Sequence, residues 1–226
     1  MDAYYVLKVL TFNKENPTYT TVQQVGIDGF SDDTPAVSFN KSDNLTINED
    51  TYLKYSLTTE KKVKQRGRAN GFSDIFESFI AINNSDFYYY EHEKILILHC
   101  SKDAFKQFIK AFEGNNEYSF KKIDVDFESI IVNQHQIGVQ GIWLGQLDDV
   151  NVKSLLLLGN NLESSTRYQD LKTEGAEISN LTIIYIFEDI QRKIMISKDG
   201  GVIMYANEKE SEALKLVKSI YKNLLS

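Results

Sequence analysis

Leu181-Thr182-Ile183-Ile184-Tyr185-Ile186-Phe187 and Lys193-Ile194-Met195-Ile196-Ser197 are apolar runs of strand length, rich in β-branched and aromatic residues, and they predict two strands. Lys198-Asp199-Gly200-Gly201 follows them, and its Asp-Gly pair tolerates positive φ, so Val202-Ile203-Met204-Tyr205 should fold straight back on the second strand. Asn207-Glu208-Lys209-Glu210 then has the spacing of a capping box, the Asn accepting from the first turn and the Glu reaching back. In the helix beyond it, Ala213, Leu214, Val217, Ile220, Tyr221 and Leu224 share one side, while Glu212, Lys215, Lys218 and Lys222 share the other. Three apolar strands need a cover, and a one-sided helix supplies it.

The same order occurs earlier in the chain. Phe87-Tyr88-Tyr89-Tyr90 and Lys94-Ile95-Leu96-Ile97-Leu98-His99-Cys100 read as two strands around Glu91-His92-Glu93. Ser101-Lys102-Asp103 opens a helix with Phe105, Phe108, Ile109 and Phe112 on one face, and Gly114-Asn115-Asn116 closes it. Two similar strand-turn-strand-helix units suggest an internal duplication. The expected fold is α+β, mainly antiparallel sheet with amphipathic helices packed on one face. The expected halves are residues 1–116 and 117–226, which one continuous domain would also accommodate.

Around these units, Tyr4 to Phe12 alternates with apolar groups on both sides, which predicts an interior strand. Thr51 to Thr58 predicts a half-buried one. Between them the signal weakens: Thr21-Val22-Gln23-Gln24-Val25 fits a short strand, whereas Asp28-Gly29, Asp32-Asp33 and Asn40-Lys41-Ser42-Asp43-Asn44 read as turns. Ser73 is placed to cap a helix through about Ile82, with Ile75, Phe76, Phe79 and Ile80 on its apolar face. Phe127 to Val132 fits a strand or a helix, residues 139–145 and 153–159 fit strands, and Glu163 to Thr173 a helix or a long loop.

Composition narrows the function classes. With 226 residues, 42% hydrophobic and 25% charged, the chain can bury a core unaided. A net charge of -7 disfavours general attraction to nucleic acid or to an anionic membrane unless the cations cluster. No apolar run approaches a membrane span, and Met1-Asp2-Ala3-Tyr4 lacks a basic stretch before an apolar one, so a cytoplasmic protein without membrane contact is expected. Cys100 is the only cysteine, which rules out an intrachain disulfide and a Cys-based zinc site. Abundant Asn, Lys, Ile and Tyr with two prolines is a bias of AT-rich genomes, such as those of low-GC bacteria and their phages.

The cations do cluster once. Lys61, Lys62, Lys64, Arg66 and Arg68 fall within eight residues, and Gly67 with the Asn70-Gly71 pair makes the second half loop-like. Such a segment can neutralise phosphates or meet an acidic partner; as a solvated loop it would keep an edge strand from pairing. Phe72 and Tyr55 flank it. Chemistry has fewer anchors. The three histidines, His92, His99 and His135, form no ligand pattern, and adjacent strand residues such as His99 and Cys100 point to opposite faces, which leaves Cys100 a buried structural thiol. There is no phosphate loop, dinucleotide motif or nucleophile elbow. Glu60-Lys61-Lys62, or Glu91, Glu93 and Lys94, are the strings a Mg²⁺-dependent nuclease would draw on, and Asp148-Asp149 and Glu188-Asp189 read as turns. With 13 Tyr and 13 Phe, aromatics exceed an obvious core, and Phe87 to Tyr90 and Trp143 are the interface candidates.

These readings together describe a non-catalytic binding or adaptor subunit, without cofactor or metal, that docks nucleic acid or a protein through Lys61 to Arg68. A second copy of the chain is a further partner it admits, and a bacterial or phage defence complex is a setting that its composition fits. The alternative is a Mg²⁺-dependent nuclease or nuclease accessory protein.

Overall fold

A computed structural model describes residues 2–21, 35–68, 75–133 and 138–226. The chain forms two compact units: Val9–Lys121, and Met1–Lys8 together with Lys122–Ser226. Strand β1 (Asp2–Phe12) belongs to both, because Val9 opens the first unit and the residues before it belong to the second.

In the first unit, β2 (Thr18–Thr20), β3 (Val37–Ile47), β4 (Asp50–Val63), β5 (Gly67–Arg68), β6 (Ile75–Phe76), β7 (Phe79–Tyr90) and β8 (Ile95–His99) precede α1 (Lys102–Ala111) and β9 (Tyr118–Lys122). The strand order is β1-β8-β7-β4-β3-β2, with β9 beside β1 and β5-β6 a separate ribbon. The pairs β2/β3, β3/β4, β4/β7 and β7/β8 are antiparallel. α1 starts where expected, since the Ser101 hydroxyl accepts from the Ala104 N–H at 3.3 Å. Its Phe105 and Phe108 are wholly buried. Rings fill this core: Phe39 lies 5.2–6.5 Å, centroid to centroid, from Phe12, Tyr19, Tyr55, Phe87, Phe112 and Tyr118.

Three expectations for this unit need correcting. Phe79 to Ile82 are not helical but open β7, paired residue by residue with Val63 to Glu60; Ile75, Phe76, Phe79 and Ile80 satisfy a helical spacing, yet a ladder running the length of β4 outweighs it. The would-be cap Ser73 lies outside the described residues. Asn40 to Asn44 is not a turn but the middle of β3, with a bulge between Lys41 and Asp43 and side chains turned to solvent. Phe87 to Tyr90 are buried, so they are core rather than interface. Of the strand expected at Thr21 to Val25, all but Thr21 lies outside the described residues, as do Asp28-Gly29 and Asp32-Asp33.

In the second unit, α2 (Phe127–Asn133), β10 (Val139–Gly145), β11 (Ser154–Leu158), a short 3-10 turn (Leu162–Ser164), α3 (Thr166–Thr173), β12 (Glu177–Phe187), β13 (Ile190–Ser197), β14 (Gly201–Met204) and α4 (Glu210–Ile220) follow in sequence. The strand order is β11-β10-β12-β13-β14-β1, and each of these pairs is antiparallel. The anchoring hairpins form as read: Gly200 takes φ +75 between β13 and β14, while Glu188 and Asp189, both at positive φ, make the two-residue turn between β12 and β13. α4 lies over β12, where Tyr185 Oη and Ser219 Oγ are 2.7 Å apart.

α4 departs from expectation at both ends. It begins at Glu210, with Lys209 at the N-cap making no side-chain capping bond, and not at an Asn207 capping box. Arg192 Nε donates to Glu208 Oε1 at 3.0 Å, which holds the segment before the helix. After Ile220 a π-turn (Tyr221–Leu225) rotates the chain, burying Leu225 where Leu224 was expected.

β14 is wholly buried, and a Cβ added at Gly201 would sit 2.6 Å from Ser197 Oγ and 2.8 Å from Tyr5 Cε1. Tyr5 is Gly201's partner in the β1/β14 ladder and its ring has no room to retreat. Gly201→Ala is therefore expected to cost about 1–3 kcal/mol of stability by overpacking, measured by urea unfolding; an unchanged midpoint would show that the ring yields freely.

Among the described residues, no helix is long and apolar enough to cross a membrane.

Candidate functional site

β4 carries the basic cluster out of the sheet. Lys61 and Lys62 still pair with Ala81 and Ile80 of β7, Val63 pairs with Phe79, and the chain then leaves the ladder through Lys64 to Arg66 into β5. Alternation along β4 puts Lys61 and Lys62 on opposite faces. Lys61 faces α1, where its Nζ meets Asp103 Oδ2 at 2.5 Å. Asp103 sits in the first turn of that helix, and its hydrogen bond and charge pairing with Lys61 hold its carboxyl below the usual carboxylate range. Lys61 is thus engaged within the protein. Lys62, Lys64, Arg66 and Arg68 are exposed and form no ion pair among the described residues.

Two exposed apolar side chains stand on β7 across from the end of β4, and Glu77 follows Phe76, the partner of Gly67. Phe79, across from Val63, is 41% exposed, and Ile82, across from Glu60, is 62% exposed. The nearest carboxylate on β4, Glu60, accepts from the Ala36 N–H at 2.9 Å. Of the aromatics expected beside the cluster, Tyr55 is fully buried and Phe72 lies outside the described residues. Phe79, expected on the apolar face of a helix, is instead the partly exposed aromatic at the start of β7.

The candidate catalytic strings are not brought together. Glu60 stands opposite Ile82, while Glu91 follows Tyr90, which stands opposite Tyr52, so the two sets occupy opposite ends of the β4/β7 ladder. Glu91 is paired with Lys14, whose ammonium is held charged to higher pH by that hydrogen bond. Asp149 accepts from the Asn151 N–H at 2.9 Å within its turn. His92 lies in the turn after β7 and His99 ends β8; His135 is outside the described residues. Cys100 is buried, and burial pushes its thiol up to about 12, so it stays protonated and unreactive at neutral pH. Among the described residues, no group of three or more His, Cys, Asp or Glu side chains is placed to hold a metal ion.

A second concave region was not read from the sequence. Tyr168 of α3 donates through Oη to Glu128 Oε1 of α2 at 3.2 Å, and Lys172, one turn on, pairs with Glu128 Oε2. Hollows of about 440 Å³ and about 360 Å³ lie beside this triad. Burial and the Glu128 charge hold the Tyr168 phenol protonated well above its ordinary range. Tyr168 and Lys172 at i, i+4 show a shared helix face, but Glu128 is 40 residues away and carries no local signal. The triad satisfies itself internally, and the arm from Lys61 to Arg68 is the stronger site.

Compared with known proteins, the chain matches no family model and no curated protein.

Proposed function

We propose that this chain is a non-catalytic binding protein that docks the phosphate backbone of a nucleic acid through Lys62, Lys64, Arg66 and Arg68. The observation that supports this reading is the disparity between a body of net charge -7 and an arm with four exposed cations that meet no carboxylate among the described residues. A solvated salt-bridge face would pair its charges; this arm leaves them for an external anion. The Mg²⁺ nuclease alternative would draw on Glu60 or on Glu91, Glu93 and Lys94, and of these Glu60 accepts from the Ala36 N–H while Glu91 is paired with Lys14. We also read the two units as variants of one plan. Its support is the common order of an antiparallel strand pair followed by a covering helix, β7-β8-α1 and β12-β13-α4, with β14 inserted in the second.

The test is fluorescence anisotropy with labelled single-stranded and duplex oligonucleotides across a salt series. Each lost phosphate contact flattens the slope of log affinity against log salt by about 0.7–0.9, so changing Lys62, Lys64, Arg66 and Arg68 to Gln should flatten it by about 3. Affinity near about 0.1 M salt should fall by about a hundredfold or more. Lys61→Gln alone should matter less, because Lys61 already holds Asp103. Thermal melts should stay within about 0.5 kcal/mol of the parent protein. Equal binding and equal salt slopes for the parent and the fourfold variant would refute the reading.

A further inference from the structure

The arm that carries Lys62 to Arg68 has a shape as well as a charge. β3 accompanies β4 only as far as Thr59, opposite Val37, and β8 accompanies β7 only from Asp86 onward. Beyond those points Lys61 to Val63 pair with Ala81 to Phe79, and no third strand joins on either side among the described residues. The sheet therefore thins to a two-stranded ribbon with both edges open. Lys61 braces its base by pairing with Asp103 of α1. Further out, β5 and β6 take up the ribbon again, with Gly67 against Phe76 and Arg68 against Ile75. Between the two ladders Lys64 to Arg66 lie on one strand and only Glu77 and Ser78 on the other. An unequal count of this kind bends a ribbon and tightens its twist.

The ribbon's charge is divided by strand. Lys61, Lys62, Lys64, Arg66 and Arg68 all stand on the strand that runs from β4 into β5, whereas Ser78 to Ser85 on the other strand carry no charge. Glu77, beside the bend, is the carboxylate on that side. A two-stranded ribbon is at best marginally stable in water on its own. It gains most from a surface that encloses it on both faces.

We propose, resting on the phosphate reading above, that this ribbon enters the major groove of duplex DNA. The cationic strand lies against one phosphate wall, and the uncharged strand is turned towards the groove floor. Size selects this groove: at about 12 Å wide it admits a two-stranded ribbon, whereas the minor groove, at about 6 Å, does not. Reach fits as well. At about 3.3 Å per residue the stretch from Lys61 to Arg68 extends to at most about 23 Å, while the groove is about 8.5 Å deep. The remainder exceeds the screening length of about 10 Å at about 0.1 M salt, so a body of net charge -7 can stay clear of the phosphates while its arm engages them. Single strands are held in a basic channel that tracks their backbone, and a ribbon open at both edges forms no channel. Duplex RNA fails on shape, because its A-form major groove is too deep and narrow to be read.

Fluorescence anisotropy at about 0.1 M salt with labelled probes of one sequence decides between these forms. The probes are a DNA duplex, its single strand, the corresponding RNA duplex, and a DNA duplex whose major groove is filled by glucosylated hydroxymethylcytosine. The plain DNA duplex should be bound at least about tenfold more tightly than each of the others. A minor-groove ligand of the netropsin type should not displace the protein. Changing Lys62, Lys64, Arg66 and Arg68 together to Gln should leave all the probes bound weakly and alike. Single-stranded DNA or duplex RNA held as tightly as duplex DNA, full binding to the filled duplex, or displacement by the minor-groove ligand would each overturn groove entry and leave the phosphate reading standing. Failure to bind any probe, or binding indifferent to the fourfold change, would overturn both.

Discussion

Replacing Phe39 by alanine is expected to lower the unfolding free energy by about 3–5 kcal/mol, a large part of the 5–15 kcal/mol by which domains are generally stable. Phe39 is 2% exposed, and rings contributed by six other positions surround it. Most of these are themselves held by strands or by α1, so they cannot collapse into the space; the penalty belongs at the upper end of the range for aromatic truncation. Phe39→Leu should recover more than half of the loss by refilling volume, although without the edge-to-face contacts with Tyr55, Phe87 and Tyr118. Urea denaturation followed by tyrosine fluorescence measures both. A loss below about 1 kcal/mol for the alanine variant would mean that the ring cluster is not the centre of this unit.

That cluster also shows where sequence reasoning stops. The hairpin at Asp199-Gly200 and the α1 face of Phe105, Phe108 and Phe112 are local signals, and they were read correctly because neighbours in sequence determine them. β3 is different. Asn40 to Asn44 has turn chemistry, and only the ladder with β4 makes it a strand. Phe79 and Ile80 carry a spacing that suits helix and strand alike, and pairing with Val63 and Lys62 decides between them. The membership of β1 in the C-terminal unit rests on Asp2 meeting Met204, a contact no local window contains. The same division applies to the arm. Its charge cluster is a property of the sequence and was legible, whereas the engagement of Lys61 by Asp103, 42 residues away, was not. Four leucines in β11 read correctly as a strand, but that the strand lies at an edge is a matter of topology alone.

Raising the pH from 10.0 to about 12, the interval between the ordinary tyrosine value and that of Tyr55 in the fold, is expected to unfold the protein cooperatively. Burial, ahead of the neighbouring Tyr118 and Tyr89, pushes the Tyr55 phenol up to about 12. Burial with the charges of Asp2 and Glu210 does the same for Tyr4, and burial raises Tyr52 as well. A group whose folded value is raised stabilises the fold fully below its unfolded value. The contribution is lost as pH climbs towards the folded value, because the unfolded chain releases its proton first. Each such group removes at most about 1.4 kcal/mol per pH unit, and less near either end of the window, so Tyr55 and Tyr4 together remove about 4 kcal/mol across it, before Cys100 or Tyr52 is included. Tyr55→Phe separates this from general alkaline damage. The Tyr55 hydroxyl is buried without a hydrogen-bond partner among the described residues, so deleting it should raise stability at neutral pH by about 1 kcal/mol and make the alkaline decline shallower by one proton. Urea unfolding at several pH values, with tyrosinate absorbance as the second signal, reads both effects. Stability that stays flat through this window, or a Tyr55→Phe protein less stable than its parent, would mean that the phenol is neither desolvated nor unpaired.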